Sequence, residues 1–469
     1  MRTRSILSIV SAMAAVLALG SVSGPASGEA RERAAAARSV GWSASSGDAV
    51  RAWNTIAVNT LIALPGNAGG APPAAQVHVG MVQGAVYDAV NATEPKHYRP
   101  YLLDRRFSAR ASQDAAVAAA AYGVLRHLVS TVPNILDANR TTLLATLATQ
   151  YQAALQPIAD GPSKTKGVDA GEAAAAAMIA ARADDGRFGP SQWVPSTAPG
   201  HWWPQLTPAG AQILDPTPWV GGVDPFLMES SSQFRTAGPV SLTSDTWTRE
   251  FDEVKTYGAV DSTMRSSTQT YIAKWWQSTP VRSWNEVARD LADRSDLDAV
   301  ETARLLAMTN LSGADAAINC WNDKYHWDFW RPWNAIPRAA EDGNPATDPQ
   351  SGWTPLISAP YPDHPSGHLC LDGAHAGILA KFFGDTVPGG FQITSISTLL
   401  APPPADPRVR TFGSFSQALD ELVEARIWAG LHYRTADVQA RLLGANVADY
   451  AAANYFQPVG RGKDARRKR

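Results

Sequence analysis

The chain has little charge imbalance, few cysteines, and little sign of either long apolar spans or strands. Its formal net charge is −2 over 469 residues. That balance excludes a strongly basic nucleic-acid binder and an acidic, disordered tail protein. Only two cysteines occur, Cys320 and Cys370, so at most one intrachain disulfide can form. The single long apolar run, ILSIVSAMAAVLALG, is too short for a membrane span, and no other segment qualifies, so no stable membrane association is expected. No run alternates clearly with the period of a strand. Nothing in the middle of the chain reads as a long linker.

What is present is a helical enzyme-like composition. Hydrophobic residues make up 45%, an ordinary globular share, and 16 tryptophans accompany Ala-rich runs. The N-terminus has the form of a secretory leader: basic MRTR, the apolar run, then small residues with a cut after Gly28. The expected order is a signal peptide over 1–28, a flexible N-terminus over 29–47, a helical domain over 48–457 and a disordered basic tail over 458–469. A secreted protein is expected. Helical periodicity is read at 50–64, 76–93, 112–131 and beyond, with short turns between, as in antiparallel bundles. The predicted fold class is all-α, in two helical bundles. From about 187 to 242 the composition turns to Pro, Gly and Trp, which reads as a lid, a rim or an interface.

Three stretches carry chemistry. The first is CWNDKYHWDFWRP, residues 320–332. Lys324 and Arg331 are seven residues apart, two helical turns, so on one helix they face the same way. Pro332 predicts that this helix ends at or just before Arg331. Two cations on one face of a buried helix are costly unless an anion lies between them. The competing account pairs them with Asp323, Asp328 or other carboxylates. The second stretch is YPDHPSGHLC, residues 361–370, followed by a helical run ending at Gly384. Ser366 is the expected N-cap, with Gly367 and His368 in the first turn, and such a helix start can bind an anion. The third, RIWAGLHYRTAD, residues 426–437, adds Arg426 and His432 and is read as helix.

K-x(6)-R-P, then P-S-G-H, then R-x(5)-H resembles the three-part signature of the vanadium-dependent haloperoxidases. Type 2 phosphatidic acid phosphatases and bacterial class A acid phosphatases share it. The order of segments after residue 225 extends the resemblance over most of the chain. Two positions depart from the pattern: Ala425 stands where the family has Ser, and Asp437 lies five rather than four residues after His432. The second departure leaves the partner of His432 open. The resemblance implies a haloperoxidase or acid phosphatase-like helical fold with the anion site in 305–445. It implies that Lys324, Arg331, Arg426, Ser366 and the Gly367 amide hold the equatorial oxygens of vanadate. His432 would bond the vanadium, and His368 would act as acid–base, with Lys324 polarising bound peroxide. The implied partners are hydrogen peroxide, a halide and a small organic acceptor, and the product is a hypohalous-acid-type species. Phosphate is the competing anion. The alternative is an acid phosphatase in which His432 forms a phosphohistidine. A third class is a secreted binding protein with a vestigial site. Oligomeric state is left open.

Several residues carry two readings each. If both motifs face one anion, their helices are neighbours and Cys320 can meet Cys370 in a disulfide; the alternative is two buried free thiols. His364 is read as a surface-loop histidine, or else as a residue tuning peroxide or halide chemistry. His78, His326 and His375 are read as structural. Trp327, Trp330 and Trp333 line the pocket or fill the core.

Overall fold

A 29-residue helix, α9 (Ala299–Trp327), is the axis on which the rest of the fold is assembled. Asp298 starts it, its side chain accepting the Glu301 amide at 2.8 Å. Small and apolar residues surround α9 on nearly every side, and a helix of that kind must lie inside the protein. The computed structural model describes residues 47–94, 98–191, 193–402 and 405–459. The expected leader, nearly all of the expected flexible N-terminus and most of the basic tail lie outside the described residues.

Before α9 come α1 (Asp48–Ile62), α2 (Pro72–Thr93), α3 (Gln113–Thr131), α4 (Asp137–Leu155), α5 (Pro162–Ala181), α6 (Asp245–Tyr257), α7 (Ser267–Trp275) and α8 (Pro280–Arg294). After it come α10 (Pro332–Ala335), α11 (Gly367–Phe383), β1 (Thr386–Thr394), β2 (Val409–Ser414), α12 (Phe415–Trp428) and α13 (Arg434–Asn454). Helices α2, α3 and α5 pack together, as do α11 and α13, and α9 touches α2, α11 and α13. Among the described residues the main hydrophobic core runs from Ala49 to Phe456, with a small separate cluster of Ala273, Ala359, Ala429 and Leu431. At the α11–α13 crossing, a side chain on Gly444 would run into the Cys370 carbonyl at 2.4 Å, so the two backbones approach closely. Among the described residues no helix is long and apolar enough to cross a membrane.

The helical class is as expected, but a hairpin was missed. β1 and β2 pair antiparallel, Phe391 opposite Phe412 and Thr394 opposite Val409, with a register break between Thr386 and Phe391. Pro388 and the positive-φ glycines 389 and 390 interrupt β1, so its alternation is too broken to read as a strand.

The Pro- and Trp-rich segment before α6 wraps the core rather than hanging free. Asp315, Asn319 and Asp323 recur every four residues along one stripe of α9. Asp315 accepts the amides of Phe226, Leu227 and Met228 at 2.6–2.8 Å. Asn319 accepts the Phe234 amide at 2.9 Å, and Asp323 accepts the Thr236 amide at 2.7 Å. Buried backbone donors in an irregular segment need such acceptors, and α9 supplies them in register. Asp215 reaches the same helix nearer the motif, accepting from Trp321 Nε1 (2.9 Å) and Tyr325 Oη (2.6 Å).

Candidate active site

The first motif lies at the C-terminal end of α9, but its two cations do not share a helix. α9 stops at Trp327 with Asp328 in the left-handed conformation, φ 47°, its amide closing on the Lys324 carbonyl. Residues 328–330 then run beside 200–202: Trp202 donates to the Asp328 carbonyl and Trp330 to the Gly200 carbonyl. Arg331 is therefore extended, φ −82° and ψ 162°, as the residue before Pro332 must be. The expectation of one helical face fails, because pairing with the wrapped segment ends the helix earlier than the proline does.

Both cations nevertheless converge on the second motif. The fully buried Lys324 Nζ donates to the carbonyls of Pro362 (3.0 Å), Asp363 (3.2 Å) and Pro365 (2.5 Å). Arg331 donates to the Tyr361 carbonyl (2.8 Å), the Pro362 carbonyl (3.2 Å) and the Leu431 carbonyl (2.7 Å). The competing carboxylates are engaged elsewhere. Asp323 holds Thr236 and Arg235, and Asp328 holds Trp193 Nε1 (2.7 Å) and His201 Nδ1 (2.8 Å). Burial lowers the Lys324 pKa from 10.5 to about 8, with Arg331 adding to the effect.

Ser366 is the N-cap of α11, as predicted, yet its hydroxyl makes no capping bond. Gly367 opens the helix, and a side chain there would press on the Trp321 ring at 3.0 Å. Gly367 and His368 keep partial solvent exposure, so the site opens on their side. His368 Nε2 lies 3.3 Å from the Ser278 carbonyl. A carbonyl only accepts, so Nε2 carries the proton and Nδ1 is the bare nitrogen. Burial, with Arg426 nearby, holds the His368 pKa well below the ordinary histidine value.

The third motif is not continuous helix. α12 ends at Trp428, and Gly430 turns the chain at φ 72° with no room for a side chain against the Gly258 carbonyl. Arg426 sits in the last turn of α12 and His432 in the linker before α13. Both are buried. Arg426 Nε and Nη1 have no hydrogen-bond partner, and burial lowers its pKa from 12.5 to about 10. His432 Nε2 faces Arg331 Nη1 at 3.3 Å, and its Nδ1 lies 2.9 Å from Asp363 Oδ1. The guanidinium only donates, so Nε2 is the bare nitrogen and Nδ1 carries the proton. Burial and the cations of Arg331, Arg426 and Lys324 hold His432 neutral.

Asp363 is thus the partner of His432, a residue the sequence reading passed over inside YPDHPSGH. No spacing marks it, since it belongs to the second motif. Burial raises its pKa from 3.8 to about 7, against the pull of Arg331 and Lys324. Asp437 is turned elsewhere: burial raises its pKa well above the ordinary value, while neighbouring Ser366 and Arg426 act to lower it. His364 is buried rather than on the surface, with Nε2 3.0 Å from Thr236 Oγ1. Lys324 lies over the rings of Tyr361 (5.1 Å) and Trp321 (5.7 Å), two wall residues that lie within the first two stretches but were given no role there. His78 and His375 are buried without hydrogen-bond partners, and His326 is exposed. Trp330 is core, while Trp333 lies beside Arg331 at 5.7 Å. Cys320 and Cys370 are buried free thiols.

The motifs therefore build one small cage: three cations, a helix N-terminus, a hydroxyl and two neutral imidazoles of opposite tautomer. Such a cage on a helical scaffold is the class of site that binds a tetrahedral oxyanion. Residues 304–460 match the family described as the VCPO second helical-bundle domain. The vanadium chloroperoxidase of Curvularia inaequalis is 28% identical over 206 residues, covering 35% of this chain and 33% of that one. The chain thus spans about a third of the length of that curated relative. A bacterial vanadium-dependent iodoperoxidase superposes with TM-score 0.68 at 21% identity, over 89% of this chain and 98% of that one. A holo-type bacterial vanadium-dependent chloroperoxidase superposes with TM-score 0.65 at 17% identity, over 84% and 93%. Residues 304–460 thus match the second helical-bundle domain of the vanadium chloroperoxidases, and the fold of the chain is that of the solved vanadium-dependent haloperoxidases.

Proposed function

We propose that the protein is a vanadate-dependent haloperoxidase that uses hydrogen peroxide to oxidise a halide, yielding a hypohalous-acid-type halogenating species. The observation that carries this is Arg426: a buried guanidinium with two unpartnered nitrogens, Nε and Nη1. A buried unpaired donor costs about 1–3 kcal/mol, more when charged, so an anion is the missing acceptor. The rest of the cage fits the same ligand. Ser366 Oγ and the Gly367 amide stand at the start of α11, and Lys324 and Arg331 add charge. His432, whose Nε2 carries no proton and faces Arg331 Nη1, would be the residue that holds the central atom of vanadate. The chemistry vanadate would supply when bound is activation of hydrogen peroxide toward attack by halide.

The side chains around it have separable tasks. Lys324 and Arg331 carry charge into the cage while all three Lys324 N–H donors, and Nε and Nη2 of Arg331, are engaged by carbonyls of 361–365, which fixes both head groups before any ligand arrives. His368, neutral and bare at Nδ1, takes up a proton at that atom and returns it, as a general base and acid does. Its partial exposure also gives that proton a path to water. His432 stays neutral because burial and three cations oppose its protonation.

The test is purified protein with and without orthovanadate. Bromide-dependent halogenation of a small organic acceptor by peroxide, appearing only with vanadate, is expected. Phosphomonoester hydrolysis without halogenation would replace this reading with the phosphatase. Absence of both activities, and of vanadate binding, would leave a vestigial site. The N-terminal leader supports action outside the cell. Protein recovered from culture medium with Glu29 at its N-terminus is the expected finding.

A further inference from the structure

Around the Asp363 side of His432 the structure leaves a second group of unsatisfied atoms. Asp363 Oδ1 and His432 Nδ1 stand 2.9 Å apart, yet neither forms an aligned hydrogen bond. Tyr433 is packed on Trp247 at 4.7 Å and Phe329 at 6.1 Å, and its buried hydroxyl has no partner. A cavity of about 10 Å³ is lined by Asp363, Tyr433, Glu250, Thr435 and Trp247 among others. A site needs roughly 10–15 Å³ of such space and two to four polar partners to hold one water.

We infer that this cavity is a binding site for a single water molecule that positions Asp363 against His432. The hydrogen bonds balance. Tyr433 Oη donates to the water, and the water donates to Asp363 Oδ1 and to a Glu250 carboxylate oxygen. Glu250 has the capacity: its two oxygens accept the Thr435 hydroxyl (2.6 Å) and amide (3.1 Å), leaving lone pairs over. The Thr435 bonds also tie α6 to the first turn of α13, immediately after His432 and Tyr433. With Asp363 held from behind, its carboxylate keeps the proton of His432 on Nδ1 and leaves Nε2 bare toward the cage. Tyr433 and Glu250 are thus positioning residues, and Glu250 lies outside the 304–460 domain. The role of Nε2 rests on the proposed function; the water site does not.

The experiment uses the full chain labelled with ¹⁵N-histidine, ligand-free and with inorganic phosphate as the probe. Wild type is expected to show His432 as a single neutral tautomer protonated at Nδ1. Tyr433→Phe removes one hydroxyl and should move His432 toward a mixture of tautomers, with phosphate bound about tenfold more weakly, as for a lost partner of a ligating histidine. Glu250→Gln, which puts an N–H donor against the water, should move both readings the same way by less. A His432 tautomer unchanged in Tyr433→Phe, with phosphate affinity within twofold of wild type, overturns the inference. If Tyr433→Phe does not fold, the same two readings on Glu250→Gln decide it. If wild type binds neither phosphate nor vanadate, the proposed function fails, while the ligand-free tautomer comparison still decides the water site.

Discussion

The middle and the C-terminal end of α9 treat buried polar groups in opposite ways. Along its middle, Asp315, Asn319 and Asp323 are matched to the amides of the wrapped segment. At its C-terminal end, Lys324 meets a cage in which Arg426 has donors without acceptors. Every one of these residues is buried. Burial alone therefore does not distinguish structure from function here; the balance of donors and acceptors does. The matched groups of α9 stabilise the fold, and the unmatched donors of Arg426 mark where a ligand would complete the count.

The largest expected effect separates the two imidazoles. His432→Ala should lose anchored vanadate and nearly all turnover. His368→Ala should lower turnover about a hundred- to ten-thousand-fold yet keep the anion, because it removes a proton carrier and no cation. Equal vanadate affinity in His432→Ala and wild type would show that His432 is not the residue that holds vanadate.

The contrast between matched and unmatched groups can be broken directly. Asp315→Ala leaves three buried amides without an acceptor, at about 1–3 kcal/mol each, so melting temperature should drop sharply. Arg426→Ala should leave the melting temperature of ligand-free protein near that of wild type, since Nε and Nη1 have no hydrogen bond to lose. What it should lose is stabilisation by anion, which is about 2.7 kcal/mol at a hundred times the dissociation constant. Thermal melts with and without millimolar phosphate read both. A sharp loss of ligand-free stability in Arg426→Ala would erase the distinction.

Smaller effects sharpen it further. Asp363→Asn should weaken anion binding by about ten- to a hundredfold, as loss of a histidine's orienting carboxylate does. Asp437→Asn should weaken it less, because Asp437 faces Ser366 and Arg426 rather than His432. Titration calorimetry with phosphate ranks the two. The smallest effect is on pH. The Lys324 pKa lies near 8 in the folded protein, below its usual 10.5, so the ammonium is present below pH 8 and lost above it. Anion affinity should fall as pH rises through that value, and Lys324→Arg should flatten the profile, since arginine stays charged.

Much of the site was legible because its residues are chemically expensive. Cations on an apolar helix, a Ser-Gly-His helix start and a spaced Arg–His pair carry their meaning in composition. Helix ends were less so. The C-terminus of α9 is set by residues 200–202, more than a hundred positions away, and no local pattern reports that pairing. The same holds for Asp363, whose partner lies 69 residues further along the chain. The β1–β2 hairpin was hidden by its own proline and glycines. His364 was misjudged because its neighbours are prolines, which read as loop, whereas Thr236 and Trp327 enclose it.

The continuity of α9 has a consequence for how this chain tolerates length change. Each residue advances a helix by 1.5 Å and 100°. Asp315 and Lys324 are nine residues apart on one uninterrupted rod, so the stitches of the wrapped segment and the aim of the cage are indexed together. One residue inserted between them would turn Lys324 through about 100° away from the 362–365 carbonyls while leaving every side chain of the cage in the sequence. Insertions in the exposed stretch around Thr207–Gly210 carry no such linkage. Variation in length should therefore collect there, and α9 should be closed to it even at positions that touch no ligand.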